Sequence, residues 1–239
     1  MIELLQYLSF GPGGWGQALT AATFTTVAVA ICGFFIGGAL GALIAWGKLS
    51  GGSVVRFTAD SYTTVLRGIP DLLVIYLFYF GGSLLLSRVA SLWGVQGFVG
   101  VPPFAAGAMA IGVVSGAYQA EVFRGAFRVL SKGEIEAGRS VGMGRFLLFR
   151  RVIVPQVFRH ALPGIGNVWQ MVLKESALIS VTGLVELLRQ AQIAAGSTRR
   201  PFEFFLIAGA IFLAITWFSQ LVFAWFERRT GRYMSGGLV

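Results

Sequence analysis

Long apolar stretches alternate with short polar ones along the chain. Residues 17–47 carry no charge and close at Lys48. A helix crossing the hydrocarbon core needs about 20 mostly apolar residues, so this stretch is long enough to span. A second run, 72–87, is short for a span. It is preceded by Arg67-Gly68-Ile69-Pro70-Asp71, so the helix is expected to begin earlier, with Pro70 kinking or restarting it. Residues 88–103 read as a Gly-rich loop ended by Pro102-Pro103. A third run starts at Phe104 and continues through Tyr118 and Glu121 to Arg124. A fourth, about 161–185, is interrupted by Lys174-Glu175. The fifth, 204–226, has no charge and ends at Glu227-Arg228-Arg229. The polar segments differ in kind. Residues 48–60 suggest a loop or surface helix. Residues 127–159 space Ile135, Val141, Met143, Phe146 and Leu147 among basic residues, which predicts an amphipathic helix, a turn near Gly142–Gly144 and a second helix stopping near Pro155. The expectation is an all-α integral membrane protein of about five transmembrane helices, in one domain covering 1–239.

Composition reinforces this. Of 239 residues, 56% are hydrophobic and 12% charged, about half the charged share of a soluble domain; the mean hydropathy is +0.75. The net charge is +9. In a soluble protein that would raise nucleic-acid binding, but here the cations sit between apolar runs and act as topology signals, with anionic membrane lipid as a secondary partner. Segments 48–59, 122–160 and 227–239 hold 2, 8 and 3 Lys or Arg, thirteen together. The opposite side holds four, Arg88, Arg189, Arg199 and Arg200. The first side is therefore expected in the cytoplasm, with the N-terminus outside and the C-terminus inside. Met1 to Trp15 lacks the basic and short apolar regions of a cleaved signal.

Much chemistry is excluded. The chain has no G-x-x-x-x-G-K-[ST] for cradling nucleotide phosphates. One histidine, His160, and one cysteine, Cys32, are too few for a His/Cys metal site. Cys32 reads as a small buried residue and His160 as an interfacial one. No nucleophile elbow or catalytic carboxylate pair is apparent, so transport is a better class than catalysis. Gly33, Gly37 and Gly41, four apart, predict a helix face that another helix approaches closely.

The segment from Glu134 through Glu136-Ala137-Gly138-Arg139-Ser140-Val141-Gly142 to Val152-Ile153-Val154-Pro155 resembles the EAA loop of ABC importer permeases. Glu136, Ala137, Gly142 and Pro155 match its pattern. Gly138 stands where the second alanine is usual, and Val152 and Val154 where isoleucine and leucine are. The resemblance implies the type I importer transmembrane fold, with the loop (about 128–156) as a cytoplasmic coupling helix seated in an ATP-binding subunit. In physical terms, small residues at Ala137, Gly138 and Gly142 would let the helix sit deep in a groove, while Glu136 and the nearby arginines fix its orientation. The alternative is a basic amphipathic loop lying on anionic lipid.

Further segments are similar to the polar amino acid branch of that family: Arg67-Gly68-Ile69-Pro70-Asp71-Leu72-Leu73, Tyr118-Gln119-Ala120-Glu121-Val122-Phe123-Arg124-Gly125, Ala161-Leu162-Pro163-Gly164-Ile165-Gly166-Asn167 and Lys174-Glu175-Ser176-Ala177-Leu178. Asp71, where leucine is usual in that branch, looks like the histidine, arginine and opine uptake permeases. The resemblance implies a bacterial inner-membrane subunit that pairs with a second permease, two ATP-binding cassette subunits and a soluble substrate-binding protein. ATP and Mg would be bound by the partners, and no cofactor by this chain. Candidate path residues are Asp71, Tyr118, Glu121, Lys174 and Glu175. Asp71 either caps a helix or faces substrate, and Glu121 either pairs with Arg124 at i,i+3 or lies on the path. Lys174 and Glu175, at membrane depth, form a structural pair with Arg67 or Asp71 or line the conduit. The rival reading is a secondary transporter or ion channel working alone.

Overall fold

A computed structural model describes residues 7–11, 13–95 and 97–231. Residues 1–6 and 12 of the N-terminal segment read for a signal, and the tail beyond residue 231 with Arg232, lie outside the described residues. Five long helices dominate. Helix α1 (Gly16–Ser50) runs 35 residues, about 50 Å at 1.5 Å per residue, well beyond the hydrocarbon thickness. Gly51 and Gly52 turn the chain into α2 (Ser53–Gly68), so the polar stretch after α1 is an amphipathic helix. It lies on α1 and on α4, with Ala59 and Thr63 buried, and Tyr62 Oη donates to the Val113 carbonyl at 2.6 Å.

Pro70 sets the next boundary. Proline excludes its predecessor from helical geometry, and Ile69 is extended at φ −103°, ψ 150°. Helix α3 (Asp71–Leu92) restarts at once; it does not begin earlier, as the short apolar run suggested. It also continues through Arg88, expected in a loop. One charge at the last turns does not stop a helix, and the loop instead folds back on it: Ser83 Oγ and Ser87 Oγ accept from the backbone N–H groups of Val101 and Val99, at 3.0 and 2.9 Å. A π-helical turn, Leu77–Gly81, lies within α3.

Helix α4 (Pro103–Arg128) opens with proline in its first turn, where no N–H is required. Its packing on α1 is the most extensive in the molecule, and small residues make it so. A Cβ on Gly33 would stand 2.6 Å from Ile111, and one on Gly41 would stand 2.9 Å from Gln119 Cβ and 3.0 Å from the Ala120 nitrogen. The predicted close-packing face is therefore real, and Gln119 Nε2 secures it by donating to the Phe34 carbonyl at 3.0 Å. Cys32 is exposed on α1 beside this face, not buried: the glycine at 33 takes the inward position and turns its neighbour out.

Helices α5 (Lys132–Ser140) and α6 (Arg145–Leu148) follow, then a π-helical turn (Phe149–Ile153) running directly into α7 (Val154–Glu175). Pro155 does not stop a helix, contrary to expectation. It stands just after the π-helical turn, where the ordinary i→i−4 hydrogen-bond ladder is already interrupted and the missing N–H is accommodated. A 3-10 turn (Ser176–Thr182) ends at Gly183, φ +87°. Helix α8 (Leu187–Thr198) is capped by Glu186, whose carboxylate accepts from Leu188 N and Arg189 N at 2.8 and 2.7 Å. Thr26 of α1 accepts from Leu187 N at 3.0 Å. Helix α9 (Pro201–Gly231) closes the chain.

The main core joins Val29, Ile75, Ile111, Val172, Leu173 and Ile179 from α1, α3, α4, α7 and the 3-10 turn. Helices α4 and α7 are its centre, which is why they tolerate more polar residues than the other long helices. Helix α9 is peripheral: only 11% of its most apolar window is buried. Its exposed Leu213, Trp217 and Phe218 suit lipid, where apolar surface costs nothing.

Candidate coupling loop and membrane pathway

The loop of α5 and α6 is built around two glycines with different tasks. Gly138 is buried, and a Cβ there would stand 2.5 Å from Leu148 Cδ1. Its smallness lets the two halves of the loop pack together, so Gly138 shapes the loop from within. Gly142 has φ +82° and nothing within 4 Å of a Cβ. The left-handed turn demands glycine there through backbone sterics, and its N–H donates to the Arg139 carbonyl at 3.0 Å. The outward surface is left to Glu136, Ala137, Arg139, Ser140, Val141 and Phe146, all exposed. Glu136 makes no ion pair with the neighbouring arginines among the described residues.

Glu121 belongs to a polar knot. Lys48 Nζ lies 2.6 Å from Glu121 Oε1, 2.8 Å from Asp60 Oδ1 and 2.6 Å from Thr63 Oγ1. Arg124 Nε donates to Glu121 Oε2 at 2.9 Å, and its Nη2 reaches the same oxygen. The expected i,i+3 pair with Arg124 is present. Lys48, two residues from the end of α1 and itself buried, looks in the sequence like the polar end of a span; only tertiary packing joins it to Glu121, 73 residues along.

Four groups gather where α2 ends and α3 starts. Arg67 lies over the Tyr118 ring at 5.2 Å. Asp71, in the first turn of α3, makes no side-chain cap, which removes the capping reading, and lies close to Glu175. Neither Glu175 oxygen has a donor, although the residue is buried; what faces it is another acceptor. Lys174 points the other way and is exposed, paired with no carboxylate among the described residues. Of the anticipated pairings, the ion pairs of Lys174 with Asp71 and of Glu175 with Arg67 are absent among the described residues, and only Glu175 and Asp71 come together: adjacent residues of a helix project about 100° apart, so only Glu175 enters the bundle. Asp71, Tyr118 and Glu175 come together; Glu121 and Lys174 stand apart from them.

Long helices with largely apolar outer faces, buried polar groups between them and an exposed surface helix projecting from one end define a multi-pass membrane subunit of a transport system. The family profile described as binding-protein-dependent transport system inner membrane component matches residues 33–232, and the chain belongs to that family. It is 59% identical over 237 residues to the octopine transport system permease protein OccQ of Agrobacterium tumefaciens (strain Ach5), covering 99% of this chain and 100% of that protein. It is 46% identical over 229 residues to the nopaline transport system permease protein NocQ of Agrobacterium fabrum, covering 95% and 97% of the two chains. The histidine/lysine/arginine/ornithine transport system permease protein HisQ of Escherichia coli is 38% identical over 216 residues, covering 90% and 94%. Among solved structures, an amino acid ABC transporter with histidines superposes with a TM-score of 0.75 at 33% identity, over 90% of this chain and 95% of that one. The inward-facing MetNI methionine ABC transporter reaches 0.70 at 16% identity, over 90% and 97%, a likeness of fold. The chain is a permease subunit of an ABC importer, with the type I transmembrane fold expected from its loop.

Proposed function

We propose that this subunit conducts cationic amino acids or opines across the bacterial inner membrane. Its relatives' names, octopine, nopaline and histidine/lysine/arginine/ornithine permeases, support that substrate class. The observation that carries the reading is the Asp71–Glu175 pair. Two carboxyl groups beside each other at membrane depth, with the nearby Arg67 placed over the Tyr118 ring and in no ion pair with either among the described residues, are costly, and a guanidinium or ammonium group supplied by substrate would relieve that cost by charge-assisted hydrogen bonds. Tyr118, held by Arg67, forms the neighbouring wall.

A soluble binding protein delivers substrate to the outer face. A second permease completes the path: His160, Asn167 and Lys174 recur every seven residues on the exposed face of α7, and polar groups at such spacing suit a facing protein or water rather than lipid. Two ATP-binding cassette subunits bind ATP and Mg and grip the exposed surface around Glu136 and Ala137, with Gly138, Gly142 and Pro155 shaping it. ATP closure then shifts the balance between outward and inward access. This chain hydrolyses nothing. The thirteen-to-four charge asymmetry supports a cytoplasmic coupling loop and C-terminus and an external N-terminus.

The test is uptake of radiolabelled arginine and octopine by cells expressing the intact system at matched levels. Asp71→Asn and Glu175→Gln should each cut uptake at least tenfold. Wild-type uptake in both variants would remove the acidic pair from the path.

A further inference from the structure

Beside the coupling loop lies an open groove of about 400 Å³ that the transport reading leaves unused. Its walls come from the last turns of α1 (Ala42, Ala45, Trp46), the end of α4 (Phe123) and the π-helical turn with the start of α7 (Phe149, Val157). The lining is almost wholly apolar. Trp46 meets Phe149 edge to face, ring centroids 5.7 Å apart, and both are exposed. A tryptophan at this end of a span is placed as interfacial aromatic residues are, between hydrocarbon and headgroups.

The surroundings are cationic. Residues 122–160 hold eight Lys or Arg against two acidic residues, Glu134 and Glu136. Arg128 follows Phe127 of the groove wall, and Arg150 and Arg151 follow Phe149. All three are exposed and form no ion pair among the described residues. The forked donors of arginine match phosphate oxygens.

An apolar groove whose wall residues Phe127 and Phe149 are followed in sequence by exposed arginines complements one molecule in both parts. We propose that this groove holds an acyl chain of an anionic phospholipid, whose phosphate is met by Arg150 and Arg151. A zwitterionic lipid would satisfy the groove but leave those cations without net compensation. The site adjoins the π-helical turn joining α6 to α7, so its occupant would brace the joint between coupling loop and membrane helix.

The test is native mass spectrometry of the detergent-extracted protein with its native partners, delipidated and then titrated with equal amounts of dioleoyl phosphatidylglycerol and dioleoyl phosphatidylcholine. Wild type should retain phosphatidylglycerol at least fivefold over phosphatidylcholine. Ala42→Phe, a change at an exposed wall position, should remove one bound lipid of either kind. The double variant Arg150→Gln, Arg151→Gln should keep a bound lipid but lose the headgroup preference, and it carries the test if Ala42→Phe does not assemble. Equal retention of both lipids by wild type, or unchanged retention and preference in the variants, overturns the proposal. So does a wild type that retains no lipid while Ala42→Phe sheds its partners, which would make the groove a protein interface.

Discussion

Lys48 at the end of α1 and Glu121 near the end of α4 are joined at 2.6 Å, with the lysine side chain only 4% exposed. The contact ties together two helices and, through Asp60 and Thr63, the amphipathic α2 lying across them. It accounts for Glu121 structurally, and leaves the acidic pair of Asp71 and Glu175 as the ionisable feature that has no such account.

Removing one member of a buried ion pair leaves the other charge uncompensated, at about 3–5 kcal/mol. Lys48→Met and Glu121→Gln should each destabilise the protein by about that amount or somewhat less, since Asp60 and Arg124 remain as alternative partners. Thermal unfolding in detergent reads the effect. The double variant should lose less than the sum of the two, because the residues share one contact.

The glycine row on α1 predicts a contrast within one residue type. Gly41→Ala would push a Cβ against backbone atoms of α4 at 3.0 and 3.1 Å, which cannot swing aside. Overpacking of this kind costs about 1–3 kcal/mol. Gly209→Ala, on the exposed face of α9 with nothing within 4 Å, should be neutral or stabilising by up to about 1 kcal/mol. Unfolding midpoints of the two variants in the same detergent compare them directly.

In the coupling loop the backbone, not the contact surface, should control Gly142. Alanine at its positive φ costs about 1–2 kcal/mol, whereas asparagine enters that region more readily. Gly142→Asn should therefore retain more substrate-stimulated ATP hydrolysis than Gly142→Ala, although it is the larger residue. The reverse order would mean that a partner packs directly on this position. At Gly138 the clash is with the flexible tip of Leu148, so Gly138→Ala should cost less than Gly142→Ala.

The spans and the loop were legible because each rests on local pattern. Uninterrupted apolar runs mark α1 and α9, proline before Asp71 marks the restart of α3, and glycine at 142 marks the turn. Errors fell where tertiary geometry decides. Pro155 reads as a stop unless the π-helical turn before it is known. Gly138 reads as an outward-facing small residue until Leu148 is seen to fold over it. Lys174 and Glu175 are adjacent in sequence and similar in polarity, and only the helix rotation separates an exposed lysine from a buried carboxyl. The grouping of Asp71, Tyr118 and Glu175 from three helices has no sequence signature beyond the family resemblance.

The central claim is that this chain works as the conducting half of an ATP-driven assembly. The most direct measurement is mild-detergent purification of the tagged chain from its native membrane, with ATP hydrolysis read on the eluate with and without liganded binding protein. The account predicts that an ATP-binding subunit and a second permease co-elute, that hydrolysis rises when the liganded binding protein is added, and that Glu136→Ala weakens the co-elution. A chain that elutes alone, with no nucleotide hydrolysis accompanying it, would contradict the account and favour a transporter or channel acting by itself.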